Sequence, residues 1–221
     1  DTRNDRVVTI SLNRFWKELT KKVTPPSLAT ILAKHESLPK SGFVTLNGVI
    51  TADASDGSIY AQHTSGSWGV NVKLPKGMSV TRGNSYKIYG KLESKKGINT
   101  LIASSLKPSK DIKIKPLGMA NISFKKNKGI DNGVAVNTWG RITEVDEAGK
   151  KFTISDGSMD KSGVSVAFTK SLARSLNIKQ GQYVSITGIA VNKNLYIRDS
   201  SDIKSLDSLA KAKTRLSMLV N

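Results

Sequence analysis

The chain contains no cysteine. Disulfide frameworks and thiolate metal sites are therefore excluded. Histidine is nearly absent: His35 and His63 are the only two, and neither has a carboxylate at a readable spacing. No nucleophile elbow, phosphate-binding glycine loop or metal-ligand cluster occurs in the sequence. Asp156-Gly157-Ser158-Met159-Asp160 and Asp199-Ser200-Ser201-Asp202 outline partial calcium loops but lack the ligand series and the closing bidentate carboxylate. Both read as turns or helix caps. Neither an enzyme nor a cofactor is expected. No apolar run reaches the ~18 residues of a membrane helix, so no membrane insertion is expected. Acidic residues are scarce: 17 against 35 basic ones, a net charge of +18. Solubility in a small domain needs only ~2–8. The partner class this favours is an anionic polymer or surface. The chain opens at Asp1 rather than Met. It reads as a processed, secreted protein, with a cytoplasmic location as the alternative.

What the chain does have is a repeat. Val44–Ala52, Ser58–Gln62, Ser67–Leu74, Arg82–Leu92 and Asn99–Ala103 form one set of strand-like segments. Val136–Glu144, Lys151–Ser155, Lys161–Phe168, Gln180–Ala190 and Asn194–Arg198 form a second. Gly48 matches Gly140, Gly69 matches Gly163, Gly83 matches Gly181 and Gly90 matches Gly188. An internal repeat decides architecture ahead of any local propensity. Five strands with a loop or helix between the third and fourth is the OB arrangement, a small Greek-key barrel. The expected fold is therefore mainly all-β: two tandem five-stranded OB-fold barrels with short N- and C-terminal helices.

The domains expected are residues 1–42, a strand (Val7–Leu12) and helices; 43–106, the first barrel; 107–135, a basic linker; 136–206, the second barrel; and 207–221, a C-terminal helix. A short helix is also expected over Lys170–Asn177, and hairpin turns at Asp56-Gly57 and Asp156-Gly157-Ser158. The linker is apolar enough to pack rather than dangle, through Ile112, Ile114, Leu117, Ile122 and Phe124.

The second module, with its Thr138-Trp139-Gly140-Arg141 opening, Asp-Gly-Ser turn and Gly181-to-Gly188 strand, resembles OB-like modules of exported prokaryotic surface proteins. Both modules resemble OB-fold nucleic-acid-binding domains, the first more loosely. The resemblance implies a fold and leaves the ligand open, because OB domains take oligonucleotides, oligosaccharides and proteins.

Strand alternation sorts inward from outward residues. Ile59, Ala61, Val70, Val72, Leu74, Ile88, Leu92 and Ile102 are the expected core of the first barrel. Phe152, Ile154, Val164, Val166, Phe168, Ile186 and Ile197 are that of the second. The outward set of the first barrel interleaves Tyr60, Lys73, Lys87, Tyr89 and Lys91. Lysine neutralises phosphate, and an aromatic ring offers a base a stacking surface. Lys95 and Lys96 add charge in the loop where OB ligands usually lie. Trp68 stacks a base or plugs the barrel end. The densest basic excess, net +5 over 107–135, contributes Lys110, Lys113, Lys115, Lys125, Lys126 and Lys128. In the second module the candidates are Trp139, Arg141, Lys193, Tyr196 and Arg198. The competing readings are ordinary strand tyrosines for Tyr60 and Tyr89, and packing on the linker or first module for Trp139.

Lysines heavily outnumber arginines. Lysine acts as a point charge on phosphate, whereas arginine reads bases bidentately. The expected function is non-enzymatic binding of nucleic acid, DNA above all, dominated by its backbone. A secreted protein of this kind meets extracellular DNA and coats it as an array. The alternative is a structural subunit of an extracellular filament or layer, binding acidic polymer and assembling through residues 1–12 by strand addition.

Overall fold

The computed structural model describes residues 42–207, apart from 54–58, 67, 96–97, 111, 127–129, 131, 147, 149, 160–161, 170–171, 173–175 and 177. The expected strand at Val7–Leu12, the helices flanking it, the turn at Asp56-Gly57 and the C-terminal helix beyond 207 lie outside the described residues, as do most of the expected helix at 170–177 and the side chains of Lys96 and Lys128.

Short alternating segments separated by Gly and Asn turns form strands, because each buries one face only. The first five are β1 (Phe43–Asp53), β2 (Ile59–His63), β3 (Gly69–Lys73), β4 (Ser85–Lys95) and β5 (Ile98–Pro108). They close a barrel in the order β1-β2-β3-β5-β4. One long strand makes this closure possible. Residues 43–49 of β1 pair with β4, whereas residues 48–53 pair with β2 across a register shift at Ile50/Ala52. β3 and β5 run parallel. This is the five-stranded Greek-key order expected of an OB barrel.

The second sheet follows as β6 (Leu117–Gly118), a helix α1 (Asn121–Lys126), β7 (Ala135–Asp146), β8 (Lys151–Ser155), β9 (Val164–Ala167), β10 (Tyr183–Val191), β11 (Asn194–Tyr196) and β12 (Ile203–Ser205). Its order is β12-β10-β11-β9-β8-β7-β6, with β10 also pairing β7. β7 again serves two partners, β10 over 135–141 and β8 over 141–146. Where the first barrel has one continuous β5, the second sheet has β11, a 3-10 turn (Ser200–Asp202) and β12. The β10–β11 hairpin turns on Asn192 and Lys193, both at positive φ.

Every core residue expected in the second module is buried: Phe152, Ile154, Val164, Val166, Phe168, Ile186 and Ile197. The first module needs one correction. Leu101 and Ala103 point inward on β5, and Ile102 points outward between Lys91 and Lys73. Leu101 lies opposite Val72, as Leu195 lies opposite Val166. The repeat therefore aligns Leu101 with Leu195, one residue away from the segment alignment that matches Asn99 with Asn194. Beyond Leu101, the register shift at Tyr89/Gly90 leaves Ser104 unpaired, so that Leu106 packs on the same core as Leu101.

Residues 117–135 build the second core. Phe124, Ile130, Val134 and Val136 join it, and Leu117 and Met119 pack on it. Asn121 opens α1 fully buried. Its side chain donates to Thr138 Oγ1 (2.9 Å) and its backbone N–H to Asp156 Oδ2 (2.8 Å). Asp156 thus caps the helix from the β8–β9 loop. Burial acts to raise its pKa, but the hydrogen bonds from Ser158 and from Asn121 outweigh this and hold it below the usual carboxylate value.

At the β4 bend a Cβ on Gly90 would lie 2.1 Å from the Ile102 carbonyl oxygen, which is backbone and cannot swing aside. Gly90→Ala is expected to lower the unfolding free energy by about 3 kcal/mol, the upper range for overpacking. Gly118→Ala meets open space and should change it by less than ~0.5 kcal/mol. Urea titration of both variants checks this; equal midpoints would contradict it.

Candidate nucleic-acid interface

Register places the basic and aromatic side chains of β1, β4 and β5 in rows. Asn47 lies opposite Lys87, and Lys87 opposite Lys107. Thr45, Tyr89 and Ser105 form the next row. Phe43, Lys91, Ile102 and Lys73 form the third. Rows on one face are spaced ~6.6 Å along a strand, so Lys87 and Lys91 stand ~13 Å apart. Lys73, Lys87, Lys91 and Lys107 are all exposed. Phe43 and Tyr89 stack in the middle, ring centroids 5.3 Å apart and planes 19° from parallel. The carboxylate against this ladder is Glu93, whose Oε1 is 3.8 Å from Lys91 Nζ. Ser109 N–H donates to the Ser85 carbonyl, and Ile112 N–H to Ser85 Oγ. That holds the segment against Ser85 at the end of β4 next to Lys87, and Lys110 and Lys113 are exposed. Lys115 is exposed further along, and Lys126 is exposed on α1. Lys95 ends β4, and its side chain lies outside the described residues.

The strand β2–β3 side of the first barrel is occupied differently from the sequence expectation. Gln62 is 0% exposed; its Oε1 accepts from Ala135 N–H at 2.9 Å. Thr51 Oγ1 donates to the Gly133 carbonyl at 2.7 Å. A Cβ on Gly133 would fall 2.4 Å from Tyr60 Cβ, and one on Gly69 would fall 2.5 Å from the Asn132 carbonyl oxygen. Gly133 also sits at φ +95°, which glycine adopts without strain. Tyr60 is thus a packing residue at the junction, and its stacking role is withdrawn.

Arg198 is likewise a junction residue. Its Nε and Nη2 grip Asp202 Oδ2 and Oδ1 at 2.9 and 2.6 Å, and its Nη1 donates to the Thr51 carbonyl at 3.0 Å. Arg82 and Asp199 pair across the same junction. Asp199 also caps the 3-10 turn through Ser201. The hydrogen bond from Ser201, ahead of the Arg82 charge, holds its pKa low. Both aspartate loops are therefore caps.

Lys125 and Lys193 are a structural tie. Lys125 Nζ donates to the Lys193 carbonyl at 3.0 Å, and burial, then the charge on Lys193, lowers its pKa. Trp68 packs on the first core and stacks on His63, centroids 4.9 Å apart. Burial lowers the His63 pKa, and its Nδ1 accepts from Ser65 N–H. Tyr196 is half-buried on β11, which lies between β9 and β10.

The remaining second-module candidates are open. Trp139 and Arg141 project from β7. Opposite them on β10 stand Ser185 and Tyr183, and beside Ser185 on β12 is Lys204. Phe43, Tyr183 and Lys204 were missed from sequence, and Lys107 was counted only in the basic excess of residues 107–135. Phe43 precedes the repeat as aligned, and the places of Lys107, Tyr183 and Lys204 become visible only when the rows of both modules are laid side by side.

No protein-family model matches this chain, and no curated protein matches it. Among solved structures, a tetrameric HIN2 domain aligns at 11% identity and a TM-score of 0.34, over 74% of this chain and 91% of that one. A deletion mutant of the single-stranded DNA-binding protein from Thermus aquaticus aligns at 15% identity and a TM-score of 0.21, over 74% and 93%. Likeness at this level carries no argument about a ligand, so the reading rests on the geometry of the chain itself.

Proposed function

We propose that this protein binds nucleic acid, DNA above all, by its phosphate backbone, without catalysis. The observation that carries this reading is the lysine ladder of β3, β4 and β5, with Lys73, Lys87, Lys91 and Lys107 on one face. The fuller proposal is a pair of tandem OB barrels, secreted, meeting extracellular DNA and coating it as an array. The like order of pairing in the two halves supports the tandem, and the net charge of +18 supports the ligand class.

The test is fluorescence anisotropy with labelled DNA and the variant Lys87→Gln/Lys91→Gln/Lys107→Gln. These exposed strand residues leave the cores untouched, so the variant should melt like the parent. Its affinity should fall at least tenfold, and its log–log salt slope should shrink by about 2–3, close to one per lost phosphate contact. Unchanged affinity in the folded variant would place the ligand elsewhere. No binding by the parent at low salt would end the nucleic-acid reading.

A further inference from the structure

The two modules differ at one equivalent position in a way the barrel does not require. In the first, the row is Asn47, Lys87 and Lys107. In the second, it is Trp139, Ser185 and Lys204. One row further, the first module has Val49 opposite Ser85, each only 4% exposed, with Ile112 bonded to Ser85. The second has Arg141 opposite Tyr183. Trp139 is 49% exposed and Tyr183 38%. The inward residues that build the barrel here are Thr138, Val184 and Ile186, all buried. Trp139 and Tyr183 add nothing to that core. They are diagonal neighbours on a pleated face, within reach for large side chains, with Arg141 opposite Tyr183 and Lys204 across Ser185 from Trp139. The carboxylate nearby is Asp207, whose Oδ1 accepts from Tyr183 N–H and whose Oδ2 accepts from Ser205.

We propose that Trp139, Tyr183, Arg141 and Lys204 form a second binding site, for an unstacked nucleobase and its flanking phosphate. This inference rests on the nucleic-acid reading and adds that the ligand is single-stranded. Aromatic rings hold any base by its face, and the two cations neutralise the backbone on either side of it. A duplex offers no exposed base face to these rings. The site lies on the β7–β10–β12 face, away from the β2–β3 face on which OB barrels usually hold a strand. In the first barrel that usual face is closed by residues 132–135.

Three probes at about 50 mM salt decide it: oligothymidylate of about 20 nucleotides, an abasic chain of the same length, and a duplex. Trp139 is exposed, so Trp139→Ala should leave stability within ~0.5 kcal/mol. It should weaken oligothymidylate at least ~10-fold, inside the range stacking gives. It should weaken the abasic chain and the duplex less than ~2-fold, since both offer only phosphate to this site. Trp139→Phe should keep most of the affinity, and Tyr183→Ala should repeat the pattern more weakly. Equal losses on all three probes, or no loss on oligothymidylate, would overturn the site while leaving phosphate binding intact. Parent protein that binds none of the three would overturn the nucleic-acid reading itself. Trp139 emission that neither acrylamide nor oligothymidylate quenches would show that the chain covers this ring, and would overturn the site as well.

Discussion

Raising salt from about 50 to about 200 mM should weaken DNA binding at least ~60-fold, because each phosphate neutralised releases condensed counterions. Four lysines stand on one face of the first barrel: Lys73, Lys87, Lys91 and Lys107. At about −0.7 to −0.9 in the log–log slope for each contact, four contacts give roughly −3. A fourfold change in salt then costs ~60-fold. The figure is a lower bound for a ligand long enough to reach Lys110 and Lys113 as well. The Lys91–Glu93 pair is weak competition, since both side chains are about half exposed and 3.8 Å apart. Anisotropy titrations at several salt concentrations measure the slope. A slope near zero would mean that the lysines serve something other than phosphate.

Arg198→Ala should lower the unfolding free energy by about 3–5 kcal/mol, because removing one partner strands a buried charge. Asp202 is 6% exposed and the Arg198 side chain 18%. The lost guanidinium also gives up its bond to the Thr51 carbonyl, which ties the second module to the first. Arg82→Ala breaks the neighbouring pair with Asp199, but there both side chains are more than a third exposed. That variant should cost less than ~1 kcal/mol. Urea titrations of the two variants give the comparison. Affinity for DNA, measured on folded Arg198→Ala, should match the parent. A stable variant with weakened binding would return Arg198 to the list of phosphate contacts and remove it from the junction.

Alternation within strands was legible wherever a strand is regular. All seven inward residues named for the second module are buried. It failed at β5, where Leu101 and Ile102 are both apolar and the residue inserted at Ser104 puts Leu101 and Leu106, of opposite parity, on the same core. The lysines and tyrosine of β4 were legible for the same reason, as three outward residues on one uninterrupted strand. Tyr60 carried the identical signal and has a different role. Parity reports which way a side chain leaves the sheet, not what the chain later lays on top of it.

The sequence by itself determined the mainly β character, the inward faces of the regular strands and the sign of the charge, because alternation and composition are local properties. Only the tertiary structure decided which outward faces remain open. Residues 132–135 cross the β2–β3 side of the first barrel and bury Gln62, and Arg198 reaches back 147 positions to Thr51. Contacts at such separations leave no periodic trace, since they depend on how two folded units meet. The same docking turned part of the basic linker into a core: Phe124 fills the second module, while its neighbour Lys125 bonds the Lys193 carbonyl. The surfaces left to a ligand are those the chain does not use on itself, and that subtraction is available only in three dimensions.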